Sequence, residues 1–269
     1  MSEELSLAEM QAIILARDFR DNDLVFQVGA NLANARAACM LANLTTHPNA
    51  RLLLGVEIEN LSGSSNVPEV PPFLFHASGF TLGEASMHQG YVFDDMAKPD
   101  VFFVGGIEVD QVGNVNLTGI PNGEGGWKLR GPGPVALATM STYCSGYYIL
   151  MGRHDPRTFV EQVSNITALG DKKRREEYGF PGGGPRLLLS PFGIFDFDDQ
   201  GKMRLKSLFE GYSTEDVQQA TGFELAIPAQ VDVIAAPTEA ELGILRSVVD
   251  PSGVLRSSST PLNQGAKSN

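Results

Sequence analysis

Cysteine and positive charge are both scarce in this chain of 269 residues. Cys39 and Cys144 stand far apart, which excludes a disulfide framework and any cysteine-based metal spacing. Lys and Arg number 20 against 32 Asp and Glu, a net charge of −12. A surface so poor in cations is unsuited to nucleic-acid phosphates or to an anionic membrane, and neither is expected as a partner. No uninterrupted apolar run approaches the roughly 18 residues of a membrane span. The most apolar long segment, 135–151, is broken by Thr139, Ser141, Thr142 and Ser145. The first residues lack a basic region followed by an apolar run, so a cytoplasmic protein without a secretory signal is expected. There is no P-loop and no G-x-S-x-G elbow. The turn Gly29-Ala30-Asn31 sits where a strand meets a helix, but Asn31 occupies the second glycine position of a dinucleotide fingerprint. His47, His76, His88 and His154 do not cluster, and no metal site is expected.

What is present is 42% hydrophobic residues, enough for a core at this length, and 29 glycines. Ser6 with Glu9 three residues on forms a capping box, and apolar spacing predicts a helix to about Arg20. Residues 24–28 read as a buried strand, 31–44 as an Ala-rich helix, 51–58 as a strand and 99–104 as another strand. Residues 110–116 carry turn chemistry. The stretch 119–134 holds too much glycine and proline for a regular element, and 135–151 reads as two strands. Residues 172–177 form a charged helix, and 187–189, 193–197 and 203–208 read as strands. Thr214 to Val217 cap a short helix, and 238–248 is an amphipathic helix capped by Thr238 with Glu241. Helices alternate with strands early and strands dominate later, which predicts an open α/β sheet with added antiparallel strands. No linker divides the chain, so 1–256 is expected as one domain and 257–269 as a polar, disordered tail.

Three local features have a chemical reading beside a plain one. Gly131-Pro132-Gly133-Pro134 can bring backbone amides close to an oxyanion or phosphate, or can be a tight loop between strands. The run Lys172-Lys173-Arg174-Arg175-Glu176-Glu177 can attract a phosphate, or can be a solvated helix face. Cys144, in apolar surroundings with no neighbouring base in sequence, reads as a core residue.

Several stretches, taken in order, resemble the class I CoA-transferases, in particular the β-type subunit of glutaconate CoA-transferase-like enzymes. The first is Gly105-Gly106-Ile107-Glu108-Val109-Asp110-Gln111-Val112-Gly113-Asn114-Val115-Asn116. Arg130 with its glycine loop and Ala138-Thr139 follows. Next come Arg157-Thr158-Phe159-Val160 with Ile166-Thr167 and Gly170. Two more stretches are 193–225 and the segment from Pro237-Thr238 to Val249-Asp250-Pro251. The resemblance spans about 7–256. It implies a three-layer α/β/α fold and an α-type partner subunit in a heterotetramer. It also implies an acyl-CoA substrate, coenzyme A thioester, with no permanently bound cofactor.

The same resemblance implies a nucleophilic glutamate on this subunit, after the strand that follows an Ala-Pro-Asp-like turn. Here the turn is His47-Pro48-Asn49. A direct count from Pro48 puts Gly55 at the glutamate position, and a two-residue shift puts Glu57 there; the family's following Ser-Gly is absent in both registers. With Glu57 the chain transfers CoA between carboxylic acids through a glutamyl thioester. With Gly55 it is of the kind of relative that hydrolyses a carbon ring in steroid degradation or decarboxylates an acyl-CoA. A third reading is a non-catalytic subunit completing its partner's site. The resemblance also gives the glycine loop an oxyanion role, with Gly131, Gly133 and Val135 as its amide donors. Residues 60–72 and Trp127 are candidates for the acyl pocket or for a subunit interface.

Overall fold

The computed structural model describes residues 5–27, 33–54, 99–134 and 137–257. They fall into two compact units, one built from the chain up to Phe103 together with a returning segment from Ala236, the other from 104–235.

In the first unit the Ser6–Glu9 capping box opens α1 (Leu7–Asp18): Ser6 Oγ accepts from Glu9 N at 3.1 Å, and Glu9 Oε2 accepts from Ser6 N at 3.0 Å. Strand β1 (Leu24–Gln27) leads to α2 (Ala33–Leu44), whose Ala35, Ala38, Cys39 and Ala42 are buried; such small residues let α1 and α2 pack closely. Strands β2 (Arg51–Leu54) and β3 (Val101–Gly105) both pair with β1, and both pairings are parallel. The returning segment carries α6 (Glu239–Ile244), a π-helical turn (Leu245–Val249) and α7 (Val254–Ser257). Two ion pairs bind it to α1. Arg17 grips Glu241 with Nε and Nη2 at 2.7 Å each, and Arg246 grips the buried Glu9 at 2.8 and 3.0 Å. These contacts join residues more than 200 positions apart.

The second unit starts with two hairpins, β4 (Glu108–Val109) with β5 (Val115–Asn116), and β6 (Gly119–Pro121) with β7 (Trp127–Arg130). Helix α3 (Leu137–Tyr143) precedes β8 (Gly146–Leu150). Then come α4 (Lys172–Glu177), β9 (Pro185–Leu189), β10 (Gly193–Phe197), β11 (Met203–Leu208), α5 (Thr214–Ala220) and β12 (Asp232–Val233). The larger strands stand in the order β12-β11-β10-β9-β8. Pairs β8–β9 and β11–β12 are parallel, while β9–β10 and β10–β11 are antiparallel. The fold is therefore α/β, with parallel strands and added antiparallel ones, as the sequence pattern predicts.

Several local expectations are corrected. The first half of 135–151 is helical: Leu137, Met140 and Ser141 are buried at helical spacing, and Ser141 Oγ and Thr142 Oγ1 donate back to Ala138 O. Those internal bonds satisfy the Ser141 and Thr142 hydroxyls within the helix. Residues 119–130 form a hairpin, irregular between Ile120 and Pro121, despite their glycines, because Asn122 Oδ1 closes the turn by accepting from Glu124 N and Gly126 N. Gly119 is required there, since a Cβ would lie 2.6 Å from the Trp127 ring. Helix α5 is capped by Ser213, one residue before the predicted start, in a capping box with Asp216. The expected helix over 238–248 passes into the π-helical turn at Leu245, and α7 follows it unforeseen. Of the expected tail, 258–269 lies outside the described residues.

Candidate active site

In a parallel sheet the carboxyl ends of neighbouring strands share one edge, and ligands of open α/β folds gather there. In the first unit β1 lies between β2 and β3, with Gln27 opposite Leu54 and Phe26 opposite Phe102. Gly55 is the first residue after β2 and Glu57 the third. Gly55 and Glu57 themselves, with 60–72, His76 and His88, lie outside the described residues, as do Asn31 and Val135.

In the second unit the G-G-x-E-V-D-x-x-G-N-V-N stretch builds scaffold. Glu108, Asp110, Asn114 and Asn116 are all buried. Glu108 Oε2 accepts from Asn116 Nδ2 at 2.7 Å and Ser164 N at 2.8 Å, and its Oε1 accepts from Ser164 Oγ at 2.9 Å. Asp110 Oδ1 accepts from Val112 N and Asn114 N, and its Oδ2 from Asn114 Nδ2. Burial pushes the Asp110 carboxyl above its ordinary pKa, against these hydrogen bonds. Asn114 Oδ1 in turn takes the amides of Gly170 and Asp171, and Asn116 Oδ1 those of Thr118 and Gly119. Gly106 is fixed by space, since a Cβ there would lie 2.5 Å from Val115 Cγ1.

The glycine loop is tied to this network. Gly131 N donates to Thr118 O at 3.0 Å and Gly133 N to Leu117 O at 3.2 Å. A Cβ at Gly131 would lie 2.3 Å from Leu117 O, and Gly133 has φ +99°. Glycine is needed here so that two backbones can touch. Two of the three amides expected as oxyanion donors, those of Gly131 and Gly133, are thus already given to carbonyls, while the third, Val135, lies outside the described residues. Arg130 closes the loop by donating to Thr118 O and Gly131 O and lies 5.3 Å over the half-exposed Trp127 ring.

One cluster has the residue types of a catalytic dyad and a different role. His154 Nδ1 lies 2.9 Å from Ser190 Oγ, and Nε2 lies 3.0 Å from Thr221 Oγ1. Thr221 Oγ1 gives its own proton to Val217 O, so His154 is protonated on Nε2 and accepts Ser190's proton at Nδ1. Ser190 is fully buried, the imidazole stacks on Phe159 at 3.5 Å, and burial pulls its pKa down to about 3. A nucleophile needs access and a base needs a usable pKa; this is a core histidine. Cys39 and Cys144 are likewise buried, and burial raises the Cys39 thiol to about 12. The basic run forms α4, whose Lys172 and Lys173 are exposed; Arg175, unforeseen, points inward and is buried. No helix among the described residues is long and apolar enough to cross a membrane.

No family profile matches the chain. It is 28% identical over 251 residues to the B-type subunit of glutaconate CoA-transferase from Acidaminococcus fermentans, covering 90% of this chain and 92% of that one. It is also 28% identical to the B-type subunit of the 3-oxoadipate CoA-transferase of Pseudomonas knackmussii (90% and 93% covered). The same identity holds to the cholesterol ring-cleaving hydrolase IpdB subunit of Mycobacterium tuberculosis (91% and 94%). Among solved structures, glutaconate CoA-transferase of A. fermentans superimposes with a TM-score of 0.70 at 26% identity, over 92% of this chain and 96% of that one. The decarboxylase AibA/AibB, at 24% identity and a TM-score of 0.72 over 93% and 97%, shares the fold. The chain is thus similar in sequence to the B-type subunits of glutaconate and 3-oxoadipate CoA-transferase and to the ring-cleaving hydrolase subunit, and in fold to glutaconate CoA-transferase.

Proposed function

We propose that this chain is the B-type subunit of a heteromeric, cytoplasmic enzyme that transfers CoA between carboxylic acids, with Glu57 as its nucleophile. What supports this reading is the chain's similarity to transferase subunits over nine-tenths of its length, together with Glu57 lying in the sequence three residues beyond Leu54, the last described residue of β2. The Glu57 carboxylate attacks the acyl thioester carbonyl and expels CoA thiolate, leaving an acyl–glutamyl anhydride. The thiolate attacks the glutamyl carbonyl, releasing the first acid and forming a glutamyl thioester. The acceptor carboxylate repeats the two steps in reverse, so atoms and charge balance and Glu57 is regenerated. The substrate is an acyl-CoA, the partner an A-type subunit in a heterotetramer, and 1–256 works as one functional domain.

Gly55 favours a second reading. Counted directly from Pro48 it takes the place of the glutamate, and one homologue is a ring-cleaving hydrolase subunit. In that case CoA stays on the substrate and the acyl part gains water or loses carbon dioxide. Mass spectrometry of the complex with its partner subunit, incubated with acyl-CoA with and without an acceptor acid, separates the two. Transfer predicts a new acyl-CoA only with acceptor and a CoA adduct on this chain that Glu57→Gln abolishes. Product formed without acceptor, with the thioester retained, assigns the chain to the second reading.

A further inference from the structure

The loop that joins β6 to β7 holds the one Asn-Gly pair in the sequence, Asn122-Gly123. Both residues are exposed. Asn122 Oδ1 accepts from Glu124 N and from Gly126 N, each at 2.9 Å, and Asn122 N donates to Gly126 O at 3.0 Å. Two groups of the pair are left over. Among the described residues, Asn122 Nδ2 has no acceptor and Gly123 N donates to nothing. A Cβ built on Gly123 meets nothing within 4 Å beyond its chain neighbours, so the space beside that nitrogen is open. Asn116 has the opposite surroundings. Its Oδ1 also takes two amides, but its Nδ2 is held by Glu108 and by Gly119 O, it is fully buried, and Leu117 follows it.

We propose that Asn122 is a site of covalent self-modification, cyclising onto Gly123 N and losing ammonia as the protein ages. Hydroxide from water takes the Gly123 amide proton, and the nitrogen attacks Asn122 Cγ. Negative charge develops on Oδ1, where the amides of Glu124 and Gly126 meet it. The Cγ–Nδ2 bond then breaks, and Nδ2 leaves as ammonia with a proton from water, which restores the hydroxide. The cyclic imide takes up one water. Opening at Cγ gives aspartate. Opening at the main-chain carbonyl gives isoaspartate, in which the chain runs through the side-chain methylene. Glycine at 123 matters because any other side chain would crowd the attacking nitrogen. Either product adds a negative charge close to Glu124, and isoaspartate lengthens the backbone within the turn that Asn122 closes. The sole tryptophan, Trp127, pairs with Pro121 on the same hairpin and reports on its state. The reaction consumes water alone and uses none of the chain's CoA chemistry.

Incubating the full chain in warm, mildly alkaline buffer tests this. Peptide mapping by mass spectrometry locates the new acid, and an isoaspartyl methyltransferase with a labelled methyl donor counts isoaspartate. Asn122 should convert before any other asparagine, and at least about tenfold faster than the buried Asn116. The folded chain should convert within about threefold of the rate in denaturant, since the site needs no opening of the fold. Gly123→Ala should slow conversion about tenfold or more. Asn122→Ser keeps an acceptor for the loop amides and should lose the isoaspartate signal. Trp127 emission should drift as isoaspartate accumulates and hold steady in Asn122→Ser. The proposal is overturned by any of these: Asn122 intact in the folded chain while it converts in denaturant, another asparagine converting first, conversion undiminished in Gly123→Ala, or the label undiminished in Asn122→Ser. Steady emission from a fully converted chain overturns the effect on the hairpin. Failure of CoA transfer leaves the result untouched.

Discussion

The two compact units are held by different means. In the first, charged pairs reach across the sequence: Arg246 to Glu9 and Arg17 to Glu241 tie the returning segment to α1. In the second, buried carboxylates are answered by neutral amides and hydroxyls, as Glu108 is by Asn116 and Ser164, and Asp110 by Asn114. The proposed nucleophile belongs to the first unit and the strongest stretch of resemblance to the second. Motif strength therefore follows the density of buried polar bonding and not nearness in sequence to the proposed nucleophile. A glutamate whose oxygens are already filled is a building part, and one with a free carboxylate can attack a thioester.

Two glutamates test that contrast most strongly. Glu57→Gln should lower CoA transfer at least about a thousandfold with little change in stability, read as turnover of the assembled enzyme. Glu108→Gln should do the opposite. Its new amide faces donors at Asn116 Nδ2 or Ser164 N, costing about 1–3 kcal/mol in denaturant unfolding while the folded fraction keeps its turnover. If Glu108→Gln abolished turnover at full stability, the division between scaffold and chemistry would fail.

The charged ties of the first unit come next. Arg246→Met leaves Glu9, 1% exposed, with Ser6 N as its remaining partner among the described residues. Breaking a buried pair in this way should cost about 3 kcal/mol of unfolding free energy. Arg17→Met, at a more exposed pair, should cost clearly less. Equal losses would show that burial does not set the difference.

What was legible in the sequence was local. Ser6 with Glu9 and Thr238 with Glu241 are capping boxes three residues long, and both are found as read. The apolar runs of β1, β3, β10 and β11 were equally plain. What failed depended on partners far along the chain or on backbone. A glycine that admits a ligand and one that admits another backbone have the same letter, so Gly131 and Gly133 could not reveal that Thr118 O and Leu117 O take their amides. The inward turn of Arg175 is hidden in a run of charges, and the Arg246–Glu9 tie spans 237 positions. For the candidate site, the sequence offered a glutamate in one register and a glycine in another. Both positions lie outside the described residues, which reach only Leu54 of β2.

The second unit also carries a pH dependence that its neutral bonding predicts. His154 has its folded pKa drawn down by burial to about 3 from the ordinary 6.5. Above pH 6.5 it is neutral folded or unfolded and contributes no slope. As pH falls from 6.5 toward 3 the unfolded chain takes a proton that the folded one refuses, so stability falls, by about 2 kcal/mol at pH 5. His154→Gln should flatten that part of the stability curve measured by denaturant midpoints, even if it lowers the whole curve. A slope unchanged by the substitution would move its origin to other groups.

The smallest effect lies on α4, two residues from Arg175. Lys173 and Glu177 form an i,i+4 pair at 4.0 Å, with side chains 83% and 56% exposed. Water screens such a pair, and two long side chains lose rotamer freedom to form it, so Lys173→Ala should move the unfolding free energy by less than about 0.5 kcal/mol. Arg175→Ala should cost several times more, because it removes a guanidinium from between Leu169 O, Gly182 O and the Phe180 ring. Equal effects at the two positions would mean that Arg175 is solvated and contributes nothing by its burial. One short helix thus repeats the contrast between the exposed charge that a sequence reveals and the buried one that only the fold can place.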